Sequence, residues 1–114
     1  MRDYTLYLKD ILEAMSDIEL FVEGMSFEIF HNDNKTTSAV VRKFEIMGEA
    51  TKQIPDEIKH KYSDVPWKEM AGMRDRLIHF YFGVDYDLVW STIKNRLPQV
   101  KLIIKKIIDD ASKT

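Results

Sequence analysis

The sequence has no cysteine, only four glycines and only three prolines in 114 residues. The missing cysteine excludes disulfides, thiolate metal sites and cysteine nucleophiles. No apolar run approaches the roughly 18 residues that a membrane span needs, so no membrane association is expected. A signal-peptide apolar block is also missing: Met1-Arg2-Asp3-Tyr4 is charged and runs straight into an amphipathic pattern, which makes a cytoplasmic protein the expectation. Neither sign of charge dominates, with 17 Lys and Arg against 19 Asp and Glu and a net charge of -2. That balance argues against a surface that grips nucleic acid everywhere, and leaves room for a local basic cleft concentrated by dimerisation. What is present fits one soluble globular domain spanning residues 1–114: 45% of residues are hydrophobic and 32% charged, enough for one core without covalent staples.

The apolar spacing is helical almost throughout. Leu6, Ile11, Leu12, Met15, Ile18 and Phe21-Val22 recur mostly at three- and four-residue steps, predicting a helix from about Asp3 to Glu23 with Gly24 just past its end. Ser26 to Phe30 suits an added helical turn, and His31-Asn32-Asp33-Asn34 is a polar connector with capping side chains. A second long helix is expected from about Thr36 to Gln53, on a stripe of Val40, Val41, Phe44 and Met47, and is ended by Pro55. Gly48 inside it costs about 1 kcal/mol against alanine, which points to close approach by another helix. Pro55-Asp56-Glu57-Ile58 opens a short helix. A further helix is expected from about Pro66 to Phe82, stopping at Gly83, and a last one starts near a capping Asp85 and is bent by Pro98. No strand is expected. The fold class is all-α: a four-helix up-and-down bundle with one short extra helix.

Three histidines could carry chemistry. His31 and His60 sit in polar, connector-like surroundings and read as surface residues. His79 lies in Met73-Arg74-Asp75-Arg76-Leu77-Ile78-His79-Phe80-Tyr81-Phe82-Gly83, where arginines, an aspartate and a tyrosine crowd one segment. On a continuous helix Asp75 and His79 share a face, so the carboxylate could orient the imidazole. Arg74 and Tyr81, seven apart, would fall on one stripe. Arg74 and His79 would lie roughly 140° apart around the helix, so a pocket using both needs a second helix or a second subunit; two copies across a two-fold axis supply one. A histidine that titrates near neutrality beside a fork-shaped phosphate binder suits metal-independent phosphodiester chemistry on RNA. No cofactor and no metal shell is implied; Glu45 and Glu49 share a face, but no second acidic cluster completes a site, so a solvated face is the preferred reading. Spacing alone leaves a plain alternative open, in which Arg74, Asp75, Arg76 and His79 form a solvated helix face with ordinary ion pairs. Phe80, Phe82 and Trp90 read as core or subunit interface.

Several segments together resemble the HepT-like branch of the HEPN superfamily: Val41-Arg42-Lys43-Phe44-Glu45-Ile46-Met47-Gly48-Glu49-Ala50, then Ile54-Pro55-Asp56-Glu57-Ile58 and Val65-Pro66-Trp67, then Ala71-Gly72-Met73-Arg74-Asp75-Arg76-Leu77-Ile78-His79 and Tyr81-Phe82-Gly83-Val84-Asp85. The resemblance implies an all-helical ribonuclease toxin of a toxin–antitoxin pair, dimeric and open to higher assembly, with Arg74 and His79 as catalytic residues in a cleft at the dimer interface. It further implies a minimal nucleotidyltransferase antitoxin that transfers AMP to Tyr81, where added phosphate charge and an adenosine would block the RNA cleft. Asp75 and Arg76 support the pair. The residue after the motif arginine is often asparagine in relatives, and Asp75 stands there in this chain, lowering the local positive potential. An alternative reading is a non-catalytic helical partner that presents nucleotide or substrate to a nucleotidyltransferase; a third is a structural helical protein whose interface merely contains these residues.

Overall fold

In a computed structural model, residues 3–79 and 83–113 are described, with the side chain of His79 excepted. Helix α1 spans Tyr4–Phe21 and is capped by Asp3, whose carboxylate accepts from the Thr5 amide. Its buried positions Leu8, Ile11, Met15 and Ile18 fall at alternating three- and four-residue steps, so that one face enters the core. The five-residue α2, Phe27–His31, follows a Ser26 cap. Helix α3, Asn34–Lys52, starts at Asp33, which accepts from both the amide and the hydroxyl of Thr36. The backbone hydrogen bond from Thr36, before the side-chain one, holds the Asp33 carboxyl below the usual carboxylate range.

Helices α1 and α3 pack along their length, and the last helix closes the other side of α1. Lys43 pairs with Asp17 at 2.9 Å across the first contact, and Lys101 pairs with Glu19 across the second. Leu8, Ile11, Phe30, Phe44, Leu77 and Ile104 are nearly inaccessible to solvent, each contributing about 1.5–3 kcal/mol of burial. Two threonine hydroxyls enter this core satisfied: Thr37 donates to the Phe30 carbonyl at 3.1 Å and Thr51 to the Met47 carbonyl at 2.6 Å. The short α4, Asp56–Lys61, follows Pro55 as expected.

The expected helix from Pro66 to Phe82 is not continuous. It divides at Gly72 into α5, Trp67–Ala71, and α6, Met73–Leu77. Beyond Leu77 the backbone turns extended, with Ile78 at φ -122 and ψ 118. Ile78–His79 (β1) and Gly83–Val84 (β2) form a two-residue antiparallel ladder, Ile78 opposite Val84 and His79 opposite Gly83, where no strand was expected. Two features favour this exit. Gly83 sits at φ +78, a conformation open to glycine and costly for other residues, and the Leu77 carbonyl takes the Asp85 amide at 2.8 Å instead of a helical partner. Phe80, Tyr81 and Phe82 lie outside the described residues.

Asp85 caps α7, Tyr86–Ser91, accepting from the Leu88 amide. A π-helical turn, Thr92–Arg96, joins it to α8, Leu97–Ser112, with Pro98 in the first turn of α8. A proline inside an α-helix lacks a donor and clashes with the carbonyl four residues back. The wider π turn falls where that clash would arise, so the bend expected at Pro98 takes the form of a local change of helix type. Among the described residues no helix is long and apolar enough to cross a membrane.

The expected close approach at Gly48 is present. A Cβ there would stand 3.3 Å from the carbonyl oxygens of both Met70 and Ala71, so α5 lies directly on α3. Replacing Gly48 by valine should destabilise the protein by about 1–3 kcal/mol through overpacking, despite valine's better helix propensity; the midpoint of urea denaturation measures it.

Candidate active site

Arg74 is placed by the Gly48 contact. With α5 against α3, the first turn of α6 emerges beside the middle of α3. The Arg74 Nε donates to Glu45 Oε2 at 3.2 Å, and its Nη1 lies 3.9 Å from Asp75 Oδ1. The Arg74 side chain is 60% exposed, so the guanidinium is held by one edge while much of it faces solvent. A recess of about 260 Å³ lies between these helices, lined by Arg42, Glu45, Glu49, Lys52, Arg74 and Asp75 among others. Its three cations balance its three carboxylates. Glu49 pairs with Lys52 at 3.3 Å, so both glutamates of the expected solvated face are engaged with cations. Among the described residues no cluster of three or more histidine, aspartate and glutamate side chains could hold a metal ion.

The continuous helix on which Asp75 was expected to face His79, and Arg74 to face Tyr81, ends at Leu77. The Asp75 side chain is 89% exposed and leans towards Arg74. The backbone of His79 instead belongs to the ladder, paired with Gly83, which ties the residue carrying the imidazole to the segment leading into α7. Tyr81 lies outside the described residues. Arg76 points from the opposite side of α6, where it lines a second, apolar cavity together with Arg96.

The other histidines differ in setting. His60 is exposed on α4. His31, expected as plain surface, has its ring 4.5 Å edge-on from Tyr86 and 5.7 Å stacked against Phe27. Trp90, expected in the core or a subunit interface, is half-buried and packed against Phe30 of the core at 5.2 Å. Glu45 as the partner of Arg74 was not anticipated from spacing. The signal for it was Gly48 three residues on, which marks where α3 receives its neighbour.

A family model described as Ribonuclease HepT-like matches residues 11–107. The chain belongs to the HepT-like ribonuclease family. A Thermococcus cleftensis protein named probable ribonuclease HepT is 47% identical over 106 residues, covering 93% of this chain and 96% of the relative. Two Methanocaldococcus jannaschii proteins provisionally named RNases are 51% and 50% identical over 109 residues, covering 96% of this chain and 90% and 94% of their own lengths. No solved structure gave a significant match. The family match spans α3, α5 and α6, the elements that bring Arg74 out beside α3.

The Arg74–Glu45 pair is exposed, and such pairs contribute about 0–1 kcal/mol. Arg74→Ala and Glu45→Gln should therefore each shift unfolding stability by no more than about 1 kcal/mol. Thermal and urea unfolding check this, and a large loss in either variant would assign the pair a structural role.

Proposed function

We propose that this protein is an endoribonuclease that cleaves RNA without a metal ion, in a cleft formed where two copies meet, and that it acts in the cytoplasm as the toxin of a toxin–antitoxin pair. The observation that carries the reading is the Arg74 guanidinium, fixed at its Nε edge by Glu45 and open to solvent over the rest, in a chain of a ribonuclease family. An RNA phosphate presents oxygens that fit the remaining donors of that fork better than a lone carboxylate does.

In this reading His79 takes the proton from a ribose 2′-hydroxyl, and the 2′ oxygen attacks the adjacent phosphorus. The bond to the 5′ oxygen breaks, and that oxygen leaves with a proton from the imidazolium of the second copy's His79, giving a 2′,3′-cyclic phosphate and a 5′-hydroxyl end. Arg74 stabilises the charge that develops on the phosphorane oxygens. Asp75 flanks Arg74 and tunes its potential. The ladder at His79 supports this arrangement, since a backbone tied at both strands costs less to hold in place than a free loop.

The charge balance of the recess around Arg74 suits regulation by small changes of charge. A minimal nucleotidyltransferase antitoxin would transfer AMP from ATP to Tyr81: the tyrosine oxygen attacks the α-phosphorus and pyrophosphate leaves. The added phosphate would compete with RNA for the same cations. The same balance also favours a second reading, a non-catalytic module that presents nucleotide to such a transferase.

Purified protein incubated with total RNA in excess chelator separates the two. Cleavage by the wild type, reduced at least about 100-fold in His79→Ala and Arg74→Ala with the dimer intact, supports the ribonuclease. Equal cleavage by wild type and His79→Ala would refute the assigned site. An intact mass of unmodified wild type with no cleavage would favour the module.

A further inference from the structure

On the side of α6 away from Arg74 lies a cavity of about 280 Å³, near the lower limit of small-molecule sites. Its floor is apolar, made by Met15, Met47, Met70 and Met73 with Phe44 and Leu97. Its rim is polar: Arg76 from α6 and Arg96 from the π turn, with Glu69 and Ser91. Both arginines are exposed, and neither has an ion-pair partner within 4 Å among the described residues. The π turn contributes Thr92 and Arg96 to the lining, and such turns are frequent at functional sites.

We propose that this cavity is a nucleobase subsite, receiving one unstacked base of single-stranded RNA while Arg76 and Arg96 hold the phosphate attached to it. The proposal rests on the ribonuclease reading and deepens it, because it places a source of sequence preference on the reverse side of the helix that carries Arg74.

Three features select this occupant. A flat aromatic base suits a slot walled by thioethers, which are polarizable, adapt in shape and make favourable contacts with aromatic rings. Two guanidinium groups at the mouth, without an ion-pair partner among the described residues, call for an anion, and single-stranded RNA supplies a phosphate at each base. Glu69 and Ser91 provide an acceptor and a hydroxyl at the rim for base edges, whose exocyclic groups are exposed only when the base is splayed out. A purely apolar occupant would leave the rim with two cations against the one carboxylate of Glu69, and inorganic phosphate would leave the methionine floor empty.

The test is nuclear magnetic resonance of the full chain labelled at its methionine methyl groups, titrated separately with the four nucleoside 5′-monophosphates and with inorganic phosphate. The expected result is saturable shifts at Met15, Met47, Met70 and Met73 with at least one nucleotide, with Met25 unmoved and phosphate alone without effect on the four. The double variant Arg76→Ala/Arg96→Ala should weaken that affinity at least tenfold, and Ser91→Trp, at an exposed rim position, should abolish it. Ser91→Trp should also change the positions at which RNA is cut. Methyl groups unmoved by every nucleotide, shifts unaltered in both variants, or shifts that follow protein dilution instead of nucleotide would overturn the subsite, the last by showing that a second copy fills the cavity. RNA cleavage surviving any of these results keeps the ribonuclease reading intact. Nucleotide binding in a protein whose cleavage is indifferent to His79→Ala would fail that reading while leaving the cavity's ligand assigned.

Discussion

Everything at the candidate site depends on how closely two helices can approach at Gly48. A hydrogen in place of a side chain lets the carbonyl ends of α5 rest on α3, and the space there admits little more. Because α5 is held at that distance, Gly72 can break the helix without letting its continuation drift. Arg74 therefore emerges within reach of Glu45, and Met73 and Leu77 return to the core on the other side. One missing Cβ thus sets the position of a guanidinium that spacing along a single helix could not locate. Backbone contact suits this task better than a salt bridge, since exposed ion pairs are weak and screened, whereas van der Waals exclusion does not vary with ionic strength.

Much of the fold is legible in the residues. The stripes of α1 and α3, the caps at Asp33 and Asp85, and the role of Gly48 follow from periodicity and local hydrogen-bonding chemistry. The segment from Met73 to Val84 is not legible in the same way. Up to Gly83 its residues are acceptable helix formers one by one, and what ends α6 is a competing set of bonds that reaches across four to eight residues: the ladder with Gly83 and Val84, and the Leu77 carbonyl bound to the Asp85 amide. Local propensity carries no information about such a pairing. The continuous helix that the expected faces at Asp75 and Arg74 required ends at Leu77 for that reason. The pairing of Arg74 with Glu45, 29 residues apart, is likewise a tertiary result, visible only once α5 is laid on α3.

Helix α6 presents two chemically different sides in five residues. Arg74 and Asp75 face a recess whose charges cancel, while Arg76 stands over an apolar cavity with a second arginine opposite. A segment this short has few hydrogen bonds of its own, and it is held by what it packs against on each side.

The π turn at Thr92–Arg96 has a consequence for the chain's arithmetic. Val89, Ile93 and Leu97 are all buried at successive four-residue steps, and in an uninterrupted α-helix each such step overshoots a full turn by about 40°. The wide turn takes back that overshoot, so Val100, Ile104 and Ile107 arrive on the same core-facing line. Within the turn Ile93 must stay apolar, because it is buried. A sequence shortened by one residue inside the turn would revert to an uninterrupted α-helix that presents the same edge of its last helix to the bundle, so the turn marks where the chain carries one residue more than an α-helix needs.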